Sequence, residues 1–158
     1  MEQAGTHNTR VLEIARSWIG TPYRHQGRMK GAGCDCIGLI IGVWEELYGS
    51  LPKGIKIPAY TPAWAEETRK SLMVAFAAQY LEPVPLTDCM PGDVLMFSML
   101  RNGPTKHAGL LSGEKKIIHA YQGHAVAETD MNLPRYAKLT YAFRYPEQPI
   151  TVALPWQS

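Results

Sequence analysis

Two cysteines flank an aspartate in GAGCDCIGLIIGVW, residues 31–44, and the chain then runs into a nearly all-apolar segment. Such residues serve as a metal clip, as half of a disulfide, as core, or as a nucleophile at the head of a buried helix. The three cysteines, Cys34, Cys36 and Cys89, cannot all pair with one another, and a Cys-x-Cys spacing is awkward for an internal bridge, so a disulfide scaffold is not expected. Structural zinc needs about four ligands in compact pairs. No second Cys-x-x-Cys or His-x-x-x-His completes such a set, and no metal or other cofactor is expected. A thiol becomes a good nucleophile as the thiolate, which the unpaired N–H groups and positive dipole end of a helix favour. Asp35 stands at the expected N-cap and Cys36 in the first turn, while Gly31, Ala32 and Gly33 leave the approach open for a substrate backbone. The competing reading is that Cys36 is a small buried hydrophobe, and a base is needed to decide between them.

His107 and His119 supply that base, because they fall on two consecutive segments with strand character. If Ser112, Gly113 and Glu114 form a three-residue loop, Leu111 faces Lys115 and His107 faces His119, with both rings on one face of the sheet. A two-residue loop would put them on opposite faces. The roles that follow are a Cys36 thiolate nucleophile, a His107 general base that later protonates the leaving amine, and a His119 that fixes the His107 ring. Backbone N–H groups near Cys36 would form part of an oxyanion hole.

These residues need a scaffold. A chain of 158 residues, 46% hydrophobic and 19% charged, can bury one sizeable core, and we read one domain over 1–158 with arms at 1–7 and 146–158. Residues 8–19 place Val11, Leu12, Ala15, Trp18 and Ile19 on one helical face, with Asn8 as N-cap and Gly20 as stop. GTPYRHQGRMKGAG reads as a loop that delivers the chain to Cys36. From Cys36 to Tyr48 apolar positions surround the helix, which belongs at the centre of the domain. A second surface helix is expected over 62–80 with Pro62 near its first turn, and Trp18, Trp44 and Trp64 are expected as core. Five short apolar segments follow, at 93–97, 107–113, 116–122, 125–129 and 139–145. Helices first and an antiparallel sheet of about five strands afterwards make an α+β domain.

The net charge of +2 and the absence of a basic run give no reason to expect nucleic acid as a partner. The longest apolar run, Cys36 to Trp44, falls short of the roughly 18–20 residues of a membrane span, so no membrane insertion is expected. The N-terminal residues contain no signal-peptide apolar region, which implies synthesis in the cytoplasm.

GTPYRHQG, GCDCIGLI, PGDVLMF, KHAGLL and IIHAY, in this order over nearly the whole chain, resemble the NlpC/P60 family of cell-wall cysteine peptidases. The short form with its YTPAWAE connector is most similar to the versions found in phage tails and gene-transfer particles. The resemblance implies a papain-like α+β fold and hydrolysis of the γ-D-glutamyl to diamino-acid bond of peptidoglycan stem peptides. It matches Cys36, His107 and His119 to a Cys-His-His triad, Tyr23 to a tyrosine beside the nucleophile, and Asp35 to an aspartate that in some members receives the free amine of an L-alanine end. Two positions depart from the family pattern: Ile37 where serine is common, and Cys34 where arginine is common. The second weighs against the free-amine preference. Arg24 and His25 in the preceding loop are placed to touch an acidic stem peptide, whereas Cys34 and Cys89 receive no catalytic role. Partners from a phage-like particle, with action at the wall after delivery or lysis, follow from the same resemblance. The rival readings are a non-catalytic module that grips peptidoglycan, and an acyl transferase of the same fold. Relatives of that second kind are permuted, with histidine before cysteine, and here the cysteine comes first.

Overall fold

The computed structural model describes residues 2–51, 66–98, 105–121, 123–131 and 138–148. Trp64, Pro62, most of the YTPAWAE connector and the tail from 149 onward lie outside the described residues.

Helix α1 (Glu2–Ser17) buries Val11, Leu12, Ile14 and Ala15, and Trp18 in the turn that follows is buried with them. It starts earlier than the sequence pattern indicates, so the segment read as an N-terminal arm is largely helical and His7 reaches the Tyr145 carbonyl at 2.9 Å. Asn8 is therefore not a cap: it is buried within the helix and donates from Nδ2 to Pro91 O and to Asp93 Oδ1. Ile19 falls after the helix end and is exposed, because Gly20 (φ +94°) turns the chain out of the helix there. A small hairpin follows, β1 (Arg28–Met29) with β2 (Gly33–Cys34), and leads into helix α2 (Cys36–Tyr48).

Helix α2 is buried on most sides, through Leu39, Ile40, Ile41, Val43 and Trp44, because it lies between α1, the hairpin and the main sheet. Gly49 at φ +86° closes it, donating its N–H to Glu45 O. Helix α3 (Glu66–Tyr80) comes next and adds Met73 and Ala77 to the core.

The main sheet is antiparallel, in the order β3 (Glu82–Pro83), β8 (Lys138–Arg144), β4 (Val94–Ser98), β5 (Thr105–Gly113), β6 (Lys116–Tyr121), β7 (His124–Asp130). Five of these strands are the expected ones, and the sixth is the two-residue edge β3. Period-two alternation sends Val94, Met96, Ala108, Leu110, Ile118 and Ala120 toward the helices, and Leu95, Phe97 and Ile117 into a smaller cluster on the other face. This is the α+β, papain-like arrangement, with N-terminal helices on a multi-stranded antiparallel sheet.

Asp93 ties the halves together. Its carboxylate is fully buried and accepts from Arg144 Nε (2.7 Å) and a terminal Arg144 nitrogen (2.8 Å), from Asn8 Nδ2 (3.0 Å) and from the Met90 N–H (2.9 Å). One side chain thus joins α1, the turn before β4, and β8.

Candidate active site

Cys36 is the first residue of α2. The preceding Asp35 has extended backbone and accepts the Gly38 N–H on Oδ1 at 2.8 Å, while its Oδ2 accepts the Gln26 N–H at 2.8 Å. The cap therefore also clamps the 24–27 loop onto the helix start. Gly38 allows the close approach, since a Cβ there would sit 1.8 Å from the Gly27 carbonyl oxygen. His25 Nδ1 lies 4.0 Å from Asp35 Oδ2, a partner that its place in the sequence did not disclose.

The Cys36 sulfur receives the N–H groups of Ala108, Ile37 and Cys36 itself, each of which favours the thiolate. Burial and then the Asp35 charge oppose them and push the thiol up to about 12. Burial and the Asp35 charge thus favour the thiol over the thiolate. Tyr23, half-buried, is pushed up to about 12 by burial and then by the charges of Asp35, Cys36 and Cys34, and its backbone bridges to that of Cys34. Cys34 is wholly buried in the core, and burial followed by Asp35 pushes it up to about 12 as well. Arg24 is exposed with its aliphatic stem over Gly33, where a Cβ would come within 2.6 Å of Arg24 Cβ. Cys89 is half-buried at the other side of the sheet cluster, with its thiol 3.8 Å from Pro85 O.

Ala108, which meets the sulfur through its N–H, directly follows His107 on β5. The His107 ring lies 6.2 Å from that of Phe97 between centroids. His107 Nε2 is 2.8 Å from His119 Nδ1 on β6. The two are not directly opposite, contrary to the sequence expectation. The β5–β6 turn contains only Glu114 and Lys115, the latter at φ +57°, with Gly113 opposite Lys116. Continued without interruption, that pairing would put the rings on opposite faces. A register shift between Leu111 and Gly113 adds one residue, so that His119 faces Gly109 and the rings meet diagonally on one face.

His119 Nε2 in turn is 2.9 Å from Thr129 Oγ1 on β7, a residue that the sequence reading did not single out. Only the strand registers could have found it. Burial, then the nearby His124, lowers the His119 pKa, which disfavours the protonated ring. Tyr121 lies 4.9 Å from His119 and 4.2 Å from His124 between ring centroids. Among the described residues no cluster of three or more His, Cys, Asp or Glu side chains is arranged to hold a metal. No helix among them is long and apolar enough to cross a membrane.

Residues 20–145 match the NlpC/P60 family. The chain belongs to that family. A probable endopeptidase of Mycobacterium tuberculosis is 30% identical over 117 residues, 74% of this chain and 24% of the relative. A gamma-DL-glutamyl hydrolase of Bacillus subtilis is 29% identical over 121 residues, 77% of this chain and 25% of the relative. This NlpC/P60 chain thus spans about a quarter of the length of these two relatives. The crystal structure of the NlpC/p60 domain of the peptidoglycan hydrolase SagA shares the fold at a TM-score of 0.58 and 22% identity, over 86% of this chain and 97% of that one.

Proposed function

We propose that this NlpC/P60 chain, residues 1–158 acting as one catalytic domain, is a cysteine peptidase that hydrolyses the γ-D-glutamyl to diamino-acid bond of peptidoglycan stem peptides. The observation that carries the proposal is the meeting of the Cys36 sulfur, at the capped start of a buried helix, with the backbone of the strand residue that follows His107. In the reaction, His107 takes the thiol proton as the sulfur attacks the γ-carbonyl carbon. Backbone N–H groups at the start of α2 hold the oxyanion. Collapse breaks the C–N bond, and His107 returns the proton to the departing amine. Water, deprotonated by His107, then cleaves the thioester and regenerates the thiol. His119 holds the His107 ring throughout.

Tyr23 and Arg24 are assigned to substrate contact: the first beside the sulfur, the second on the exposed rim, where a guanidinium suits an acidic stem. Asp35 enters as cap and local charge. Its two oxygens already accept the Gly38 and Gln26 N–H groups, and it is 3% exposed, which weighs against a role in receiving a free amine. The name of the Bacillus subtilis relative supports the choice of bond. Association with a phage-like particle and delivery to the wall belong to the proposal on the strength of the YTPAWAE connector alone. An antibody that finds the chain in purified particles would support it, and its absence from them would remove it.

Mass spectrometry of muropeptides after incubation with the protein tests the main reading. New amine ends at the diamino acid are expected with wild type, in polymeric wall and in free peptides, with little loss when the L-alanine amine is acetylated. Cleavage only at the cross-link between stems would overturn the bond assignment. No cleavage at all would favour the non-catalytic wall-binding module.

A further inference from the structure

His119 is flanked on both sides by small residues. Directly across from it lie Gly109 on β5 and Ala127 on β7. Its hydrogen bonds therefore run diagonally: Nδ1 to His107, two residues before Gly109, and Nε2 to Thr129, two residues beyond Ala127. Because β5 and β7 both run antiparallel to β6, His107, His119 and Thr129 form one oblique row across three adjacent strands on a single face.

A neutral imidazole carries one proton, and the row can be protonated in two ways. In one, His107 Nε2–H donates to His119 Nδ1, and His119 Nε2–H donates to Thr129 Oγ1; the His107 Nδ1 lone pair is then the basic one. In the other, Thr129 O–H donates to His119 Nε2, His119 Nδ1–H donates to His107 Nε2, and His107 carries its proton on Nδ1, where it cannot act as a base. A half-turn of the His119 ring would replace Nδ1 by carbon and break the row altogether. We infer that Thr129 is a positioning residue for the reaction, holding the His119 ring and accepting its Nε2–H so that His107 keeps the basic tautomer. This rests on the proposed function for its catalytic consequence, and on the hydrogen-bonded row alone for the tautomer.

A hydroxyl suits this place better than a carboxylate. A charge there would draw a proton onto His119 and make it compete with His107. Among the described residues, the titratable groups recorded against the His119 ring are His107 from β5, Tyr121 on its own strand and His124 from β7, and none of these is an acid of the carboxylate type. Burial and His124 also act to keep His119 neutral.

The test uses Thr129→Val, which keeps shape and β-propensity, and Thr129→Ser, which keeps the hydroxyl. Nitrogen-15 spectra of the imidazoles are expected to show His119 protonated at Nε2 in wild type and in Thr129→Ser, and a mixture of tautomers in Thr129→Val. With stem peptide, Thr129→Val should lose about tenfold in kcat with KM little changed, the size typical of removing a ligand-orienting partner. The acidic limb of its kcat/KM profile should move to lower pH, since the oxygen that stabilises the protonated pair is gone, and Thr129→Ser should restore both. A packing defect alone would lower kcat without moving that limb. Identical imidazole spectra in wild type and Thr129→Val, or a Thr129→Ser protein as impaired as Thr129→Val, would overturn the inference. If wild type cleaves no stem peptide, the proposed reaction falls, while the spectra still decide the role of Thr129.

Discussion

The Asp35 carboxylate accepts the Gly38 N–H at 2.8 Å, and this bond both starts helix α2 and holds a negative charge beside the Cys36 thiol. The helix gains its cap, and the nucleophile gains an anionic neighbour that disfavours its own anion.

Asp35→Asn separates the two effects. Asparagine caps a helix about as well as aspartate, so α2 should keep its start, with about 1 kcal/mol lost from the bond to the Gln26 N–H. The thiol should ionise at lower pH, and iodoacetamide should label Cys36 severalfold faster at pH 8, read by peptide mass spectrometry. Unchanged or slower labelling would show that Asp35 does not act on the sulfur through its charge.

Cys36→Ala and Cys36→Ser should each lose on the order of a thousandfold or more in hydrolysis while remaining folded by circular dichroism. Cys34→Ala should stay active and lose about 1 kcal/mol of stability, because it removes a sulfur from the core. Of the histidines, His107→Ala should lose about a hundredfold to ten-thousandfold as the base, and His119→Ala less. An inactive Cys34→Ala with an active Cys36→Ala would make Cys34 the nucleophile and overturn the assignment to Cys36.

Alkali should loosen the site. Cys34, Cys36 and Tyr23 all titrate near 12 in the folded chain, against 9.0 for a free cysteine and 10.0 for a free tyrosine. Each favours the folded state fully below its ordinary pKa, and that contribution fades as pH rises toward 12, because the unfolded chain releases the proton first. Urea midpoints should therefore fall between pH 9 and pH 12, and less steeply in Cys34→Ala. A flat profile over that window would contradict the burial of these groups.

Asp93→Asn removes the charge that holds Arg144 and weakens the joint between α1, β4 and β8. A buried ion pair that loses one partner typically costs 3–5 kcal/mol, and with Arg144 partly exposed about 3 kcal/mol is expected by urea denaturation. A loss below about 1 kcal/mol would show that Asn8 and Met90 hold the joint without the ion pair.

Local sequence was enough for the start of α2 and the alternation of the strands. A cap bond spans three residues and a pleat repeats every two, so Asp35, Cys36 and the apolar faces of the sheet could be read along the chain. The order of helices and strands, and hence the α+β class, followed from the same short-range patterns. The tertiary structure alone decided which residues meet. The diagonal contact of His107 and His119 depends on an extra residue after Leu111, which no hydrophobic pattern marks. Asn8 was readable as a cap, but Asp93, 85 residues away, draws its side chain into the core. Thr129 joined the row only through the pairing of a third strand, because register accumulates from every turn and bulge between the elements it aligns.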